Sequence, residues 1–321
     1  MGSGAVRRCV MKQLFERTSS CWVRYDKYVI RTDAKGAKYI TAAADAKPDI
    51  FDPLEDAQAM VLEALNVGRL FFGDKTPERV RETALLQFVH HYGLLGLMTA
   101  LPTTAKFMQY EKVYLPKNHF IREEALATER YLDYFYPFKK LNIRKYKTEF
   151  IWEVEGDTDA MALAMTFAND PNAMSMSFQK EYAEPVEWIA KALKNLTFPF
   201  ITSKYFYEHG DAFDADEKKL MAQGVAAFGG IAPTYRIALL DKPTIVWDFH
   251  SLLIGLQMMF SFMLAADKAP LRMCPHCDTI FVAKRSNPRF CCDTCRRKGE
   301  YCPIKQKRGF AHILVRNLFW L

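Results

Sequence analysis

Cysteine is scarce in most of this chain, because the first 270 of its 321 residues contain only Cys9 and Cys21. A fold held together by several disulfides is therefore excluded for that part of the chain. The N-terminus also lacks the apolar segment that a secretory signal carries after its basic residues. We therefore expect a cytoplasmic protein whose thiols are reduced.

The chain has no hydrophobic run long enough to cross a membrane. The longest apolar stretch, 252–266, contains Gln257 and Ser261, and it is shorter than the roughly 20 residues that a bilayer requires. We expect this stretch to form a buried helix, and we expect no membrane partner.

Sequence motifs of the common enzymes are also missing. The chain contains no phosphate-binding loop, no dinucleotide-binding glycine motif and no GxSxG nucleophile motif. His90 and His91 are adjacent, and adjacent side chains on a helix point about 100° apart, so they cannot readily share one site. The sequence therefore predicts a protein that is not an enzyme.

Six cysteines and an excess of positive charge are concentrated near the C-terminus. The cysteines are Cys274, Cys277, Cys291, Cys292, Cys295 and Cys302. Residues 271–321 carry eleven basic and three acidic residues, a net charge of +8, whereas residues 1–270 carry a net charge of −1. A near-neutral body is therefore joined to a small basic module that is rich in cysteine.

The spacing of these cysteines predicts a metal site. Cys274 and Cys277 form a CxxC pair, and thirteen residues separate this pair from Cys291, which is followed by Cys295. Four thiolates suit the tetrahedral coordination of Zn²⁺ and leave no open position for water or a substrate. We therefore predict one structural Zn²⁺ ion bound by these four cysteines.

Alternatives remain open for the third ligand and for the role of the thiols. Cys292 could replace its neighbour Cys291, although Cys291 directly follows an aromatic residue and leaves three residues before Cys295. Cys302 could also substitute. Surplus buried or reactive thiols would account for the cluster without a metal, and redox chemistry of a CxxC pair is a further alternative.

The residues after Cys292 are typical of a helix start. The predicted helix begins at Asp293, so Cys295 lies in its first turn. A CxxC knuckle, a β-hairpin and a helix that share one ion form the outline of a treble-clef-like zinc finger. The sequence therefore predicts a finger of this kind at the C-terminal end.

Basic residues alternate with the predicted metal ligands. We predict that six of them contact nucleic acid: Lys284, Arg285, Arg289, Arg296, Arg297 and Lys298. Such a density of charge on a small module is typical of proteins that neutralise phosphates. DNA is the predicted partner and RNA is the alternative, whereas solubility or contact with an acidic protein would explain the charges without nucleic acid.

The residues before the module predict a mainly α-helical body with small β-hairpins. Hairpins are expected over 22–41 and 235–247, where β-prone residues flank turns. Helix starts are expected at Asp52-Pro53 and at Thr76-Pro77, where a capping residue precedes a proline. Further helices are expected over 121–135, 157–167, 184–196, 215–228 and 249–266.

These elements predict four segments along the chain. We expect a flexible N-terminus over 1–21, a mostly helical body over 22–270, the zinc finger over 271–308 and an apolar tail over 309–321. Because few residues separate the apolar helix from the first CxxC cysteine, we expect the finger to dock rigidly on the body.

The tail has apolar residues at a near-helical spacing. They are Phe310, Ile313, Leu314 and Leu318. We expect the tail to pack on the body, or to bind a protein partner or a second copy of the chain.

Residues 235–298 resemble the C-terminal part of bacterial proteins that have an N-terminal ABATE domain and a C-terminal CGNR-type zinc finger. The resemblance rests on the hairpin, the apolar helix, the CxxC pair followed by Asp278-Thr279-Ile280-Phe281, and Arg289-Phe290-Cys291. Cys295-Arg296-Arg297-Lys298 stands where the family has its Cys-Gly-Asn-Arg motif. Residues 85–96 are similar to the helical part of the family's N-terminal domain.

The family is regarded as a group of stress-related regulators of transcription. The resemblance therefore implies an ABATE-like body that senses a ligand or a partner, and a zinc finger that contacts DNA. The alternative is a structural or protein-binding finger on an effector of a stress or phage-defence system.

Overall fold

The fold is described from a computed structural model of the chain. The structure describes residues 18–19, 22–73, 76–97, 111–114, 120–121, 123, 125–139, 180–208, 210–226, 228, 233–239, 241–249, 251–265, 271–283 and 289–301. Within these residues the chain forms α-helices and small sheets, most of them antiparallel.

The helices and strands are numbered in chain order. The helices are α1 (Ala57–Arg69), α2 (Glu78–Tyr92), α3 (Thr128–Phe135), α4 (Val186–Glu208), α5 (Ala215–Ala226), α6 (Leu252–Ala265) and α7 (Asp293–Tyr301). The strands are β1 (Thr18–Ser19), β2 (Trp22–Tyr25), β3 (Tyr28–Thr32), β4 (Lys38–Ala42), β5 (Pro48–Phe51), β6 (Lys112–Tyr114), β7 (Ala125–Ala127), β8 (Ala183–Pro185), β9 (Thr234–Leu239), β10 (Pro243–Asp248), β11 (Leu271–Met273) and β12 (Ile280–Val282).

Two compact units divide the chain. The first is drawn from Met1–Glu55, Val89–Val186 and Ile231–Gly255. The second is drawn from Asp56–Phe88, Glu187–Gly230 and Leu256–Leu321. The described cysteines all belong to the second unit, together with α1, α4 and α5. None of the described helices is long and apolar enough to cross a membrane.

Two hairpins of the first unit correspond to predicted ones, the first only in part. β3 and β4 pair antiparallel around a turn in which Asp33 Oδ1 accepts from the backbone N–H groups of Lys35 and Ala37, both at 2.8 Å. β2 pairs with β5 instead, so the hairpin expected over 22–41 begins only at Tyr28. β9 and β10 form the second hairpin as predicted, and β1 lies parallel to β10.

Of the two helix starts predicted from a capping residue before a proline, one is confirmed and one is displaced. α2 begins at Glu78, next to Pro77, as expected. The start expected at Asp52-Pro53 is wrong by about one turn, because Asp52 Oδ1 accepts from the N–H of Leu54 within a turn. Asp56 caps α1 instead, accepting from the N–H of Ala59 at 3.4 Å.

Two further boundaries differ from the expected ones. α3 begins at Thr128 because residues 125–127 pair with β6 as strand β7. α4 starts at Val186 after strand β8 and continues well beyond the expected end at residue 196, through Pro199. The helices α5 and α6 lie at their expected positions, and the helix expected over 157–167 falls outside the described residues.

A buried carboxylate organises the interior of the first unit. Glu184 is 0% exposed, and its two oxygens accept from the N–H of Leu95 (2.9 Å), the N–H of Leu97 (2.7 Å) and the hydroxyl of Tyr182 (2.6 Å). Burial raises the pKa of Glu184 above its usual value, although these donors act in the opposite direction. The carboxylate thereby fixes the loop after α2.

The loop after α2 requires a glycine at position 96. Gly96 has a φ of +70°, a left-handed backbone conformation that glycine adopts more easily than other residues. A Cβ atom at this position would also lie only 2.8 Å from Cβ of Ser251 and 2.9 Å from Cη2 of Trp22. The indole N–H of Trp22 also donates a hydrogen bond to the carbonyl oxygen of Leu94 in this loop, at 3.2 Å. Its conformation is therefore determined by packing, by the buried carboxylate and by glycine together.

In the second unit, α1 and α4 touch at a glycine. A Cβ atom on Gly68 would lie 2.2 Å from the carbonyl oxygen of Leu193, so no larger residue fits. The hydroxyl of Thr197 donates to Leu193 O at 2.8 Å and also lies 3.2 Å from Leu65 O. This contact holds α1 in place, and α1 in turn carries the side chain that contacts the cysteine module.

Candidate metal centre

The cysteine module consists of a short hairpin followed by a helix. β11 and β12 pair antiparallel, with Met273 opposite Ile280. Cys274 directly follows β11, Cys277 lies in the turn between the two strands, and Cys295 lies in the first turn of α7. The helix start predicted at Asp293 is confirmed.

Backbone hydrogen bonds shape the turn that carries the CxxC pair. The N–H of Asp278 donates to Cys274 O at 2.8 Å, and the N–H of Cys274 donates to Thr279 O at 2.9 Å. Asp278 has a φ of +58°, the left-handed conformation that reverses the chain direction. Both cysteines of the pair are thereby held on one side of the hairpin.

The sulfur atoms of Cys274, Cys277, Cys291 and Cys295 all lie within 4.8 Å of one another. Cys291 Sγ lies 3.5 Å from Cys277 Sγ and 3.6 Å from Cys295 Sγ. Cys274 and Cys295 are buried, whereas Cys277 and Cys291 are partly exposed. These four thiols are the ones that the sequence predicts as metal ligands, and they are close enough to bind one metal ion.

The structure places the adjacent cysteines Cys291 and Cys292 differently. Cys291 precedes α7 and shares the cluster with Cys295, four residues later. Cys292 O accepts from the N–H of Arg296 at 3.0 Å as the first turn of α7 forms, and its thiol is exposed and lies outside the group of four. Cys302 falls outside the described residues.

Burial, and then hydrogen bonds with Thr279 and among the thiols, give these cysteines different pKa values. Burial raises the pKa of Cys277, but hydrogen bonds with the side chain and backbone of Thr279 and with the neighbouring thiols lower it to about 7. Burial raises the pKa of Cys295 to about 12, and it raises the pKa of Cys291 as well. Cys277, Cys291 and Cys295 therefore interact with one another rather than behaving as independent side chains.

Asn66 of α1 holds the hairpin through the backbone of Ile280. The side-chain Nδ2 of Asn66 donates to Ile280 O and its Oδ1 accepts from Ile280 N–H, both at 2.8 Å. Nδ2 also donates to Leu62 O at 2.9 Å, one turn earlier on α1. Ile280 is only 2% exposed, and it follows Thr279, so Asn66 fixes the strand next to the CxxC turn.

We expect Asn66→Ala to loosen the hairpin, because two backbone groups of buried Ile280 lose their partners. The free energy of unfolding should fall by about 2 kcal/mol. Hydrogen–deuterium exchange should show faster exchange of the Ile280 amide. Gln58→Ala on the exposed side of the same helix is the control, and it should change neither measurement. Unchanged protection of Ile280 in Asn66→Ala would contradict this role.

The predicted nucleic-acid contacts are exposed where the structure describes them. Arg289, Arg296, Arg297 and Lys298 are exposed, whereas Lys284 and Arg285 lie outside the described residues. Arg296 forms an ion pair with Asp293 at 3.3 Å on the surface of α7. The last three basic residues directly follow Cys295, so they lie beside the thiol cluster.

Comparison with protein-family models, with curated proteins and with solved structures finds no match to this chain. The similarity to the ABATE and CGNR family therefore remains a prediction from the sequence.

Proposed function

We propose that the four thiols bind one structural Zn²⁺ ion, and that the resulting basic, treble-clef-like finger binds nucleic acid, with DNA as the preferred partner. The observation that carries this proposal is the convergence of four cysteine sulfurs within 4.8 Å. A closed set of four thiolates would stabilise the module and would have no position for a substrate.

The sulfur spacing supports a single ion. Four sulfurs at about 2.3 Å from one tetrahedral ion stand about 3.8 Å from each other. The distances of 3.5 and 3.6 Å from Cys291 Sγ to its neighbours are close to that spacing. A cluster of two or four irons would need a wider set of thiolates, because the four thiolates are then divided among different irons.

The distribution of charge supports contact with phosphates. Three consecutive basic residues, Arg296, Arg297 and Lys298, are exposed on α7, and Arg289 is exposed just before it. Each phosphate that such a residue neutralises releases counterions, so binding should weaken steeply as salt is added.

Regulation of transcription is the biological role that we infer. The resemblance to ABATE and CGNR proteins supports a body that senses a ligand or a partner and a finger that contacts DNA. The bonds between Asn66 and Ile280 provide a direct connection between the finger and a helix of its own unit.

The same bonds favour a second candidate function. A finger tied to α1 through its strand backbone could serve as a structural or protein-binding element of a stress or phage-defence effector. This role needs the thiol cluster and Asn66, but it does not need the basic residues of α7. The two functions therefore predict different outcomes when charge is reversed.

We expect charge reversal on α7 to weaken DNA binding at low salt by at least about a hundredfold. In the variant, Arg296, Arg297 and Lys298 are each replaced by glutamate. The slope of log affinity against log salt should become shallower by about 3, since three phosphate contacts are lost. Fluorescence anisotropy with duplex DNA and with single-stranded RNA, over a salt series, measures both quantities, and metal content should not change.

The matched control reverses three exposed lysines outside the module, namely Lys35, Lys219 and Lys242. It changes the net charge by the same amount and should leave most of the affinity in place. If the α7 variant keeps its affinity and its salt slope, nucleic-acid binding by these residues is wrong and the second function is favoured. If the RNA is bound more tightly than the DNA, the preference for DNA is wrong.

A further inference from the structure

Cys292 is the one described cysteine that lies outside the group of four sulfurs, and its thiol is exposed. Its Sγ lies 3.9 Å from Cys291 Sγ. The Cys292 thiol also interacts with the thiol and the backbone of Cys295. A metal ion held by the group of four would therefore have an accessible fifth thiol beside its ligands.

Cys292 and Cys295 form a second CxxC pair, and this pair lies at the start of a helix. α7 begins at Asp293, and the N–H of Arg296 donates to Cys292 O at 3.0 Å as its first backbone bond. Cys292 therefore occupies the N-cap position, and Cys295 lies in the first turn. A CxxC pair at a helix N-terminus is the arrangement that thiol–disulfide oxidoreductases use.

The spacing of this second pair is compatible with a disulfide. Cα atoms three residues apart in a helix are about 5 Å from each other, and disulfides join Cα atoms about 4.4–6.8 Å apart. The adjacent residues Cys291 and Cys292 do not meet this requirement, because consecutive Cα atoms are only about 3.8 Å apart. Of the two described thiols that lie near Cys292, Cys295 is therefore the one that can form a disulfide with it.

We propose that Cys292 and Cys295 form a reversible disulfide that removes Cys295 from the metal site and releases the ion. The proposal rests on the proposed function, because it requires an ion that is bound through Cys295. Only three thiolates would remain after oxidation, as in a Cys295→Ser variant. Cys292 would then be the residue through which oxidising conditions switch the finger off.

The oxidant is a small-molecule disulfide, and the reaction consists of two thiol–disulfide exchanges. The exposed Cys292 sulfur attacks the oxidant first, which forms a mixed disulfide and expels one thiolate that takes the Cys292 proton. The Cys295 thiolate then attacks the Cys292 sulfur and expels the second thiolate, which takes a proton from water. Two electrons pass from the two cysteines to the oxidant, and the ion leaves with its remaining ligands unchanged in oxidation state.

The test treats the full, zinc-loaded chain with oxidised glutathione and follows released zinc with a coloured chelator. Zinc release should proceed in step with a 292–295 disulfide, which mass spectrometry identifies after the remaining thiols are blocked and the chain is digested. Cys292→Ser keeps all four ligands and should retain zinc before oxidation. Its release should be at least about tenfold slower, because the oxidant must then attack a buried or metal-bound sulfur. Cys21→Ser removes a cysteine outside the module and should release zinc at the wild-type rate.

The outcomes separate this proposal from the proposed function. A zinc-loaded wild type that forms a 291–295 disulfide or none, or a Cys292→Ser variant that releases zinc as fast as the wild type, overturns the switch and leaves the metal site in place. Zinc that does not rebind after reduction with dithiothreitol overturns its reversibility. A chain that never binds zinc overturns the metal site and the release step together, whichever disulfide forms.

Discussion

Serine at Cys295 should abolish tight metal binding, whereas serine at Cys292 should leave one zinc ion per chain. Cys295 is buried and its sulfur belongs to the group of four, while the Cys292 thiol is exposed and lies outside that group. Apparent zinc-binding free energies of closed sites are about 10–16 kcal/mol. Because a three-thiolate site loses much of this energy, we expect the largest effect of any single substitution here.

Metal content per chain, measured by inductively coupled plasma mass spectrometry after dialysis, distinguishes the two variants. Cys274→Ser and Cys277→Ser should behave like Cys295→Ser. Retention of zinc in Cys291→Ser together with its loss in Cys292→Ser would reverse the assignment of the third ligand. Stoichiometric binding of a metal other than zinc would keep the site and correct the ion.

Removal of the proposed metal ion should destabilise mainly the cysteine module and not the rest of the chain. A module as small as residues 271–301 has little apolar core of its own, so we expect its folding to depend on the proposed ion. We expect a chelator to increase amide exchange in β11, β12 and α7, with a smaller effect in the first unit. Uniform loss of protection across both units would contradict this expectation.

Local sequence patterns predicted the parts of the fold that depend on near neighbours. The CxxC spacing, the helix start at Asp293 and the turns of the β3–β4 and β9–β10 hairpins are each set by residues a few positions apart, whereas the pairing of β2 with β5 is not. The four thiols could be selected for the same reason, because a CxxC pair and an i, i+4 pair each bring two sulfurs close before any long-range contact forms.

Long-range packing determined what the sequence did not predict. α4 continues through Pro199, although proline removes one backbone donor. Phe198, Phe200 and Ile201 around it are all buried, so tertiary burial outweighs the local cost. Asn66 was also missed, because a single asparagine on a helix carries no pattern that points to Ile280, more than two hundred residues later.

Glu184 shows the same limit and gives the second large prediction. The sequence pattern predicts a helix from Glu184 onward, but the residue lies in β8 and is fully buried. Glu184→Ala removes the acceptor of the N–H groups of Leu95 and Leu97 and of the Tyr182 hydroxyl. Leaving these donors unpaired in the interior should lower the free energy of unfolding by about 4 kcal/mol.

The Glu184 carboxyl should also make the free energy of unfolding of the wild-type protein depend on pH. Its pKa is raised in the folded state, chiefly by burial, so the folded chain binds the proton more tightly than the unfolded chain. Stability should therefore fall as pH rises from the pKa of the unfolded chain to that of the folded chain, and then level off. Glu184→Gln, which cannot ionise, should lack this part of the pH dependence.

Urea denaturation at several pH values, followed by circular dichroism, measures both effects. Glu181→Ala is the matched control, because Glu181 forms an exposed ion pair with Lys139 at 2.9 Å. Exposed pairs contribute about 1 kcal/mol or less, so this control should remain close to the wild type at every pH. An alanine variant at position 184 that is as stable as the control would mean that the Leu95–Leu97 loop is held by packing and not by the buried carboxylate.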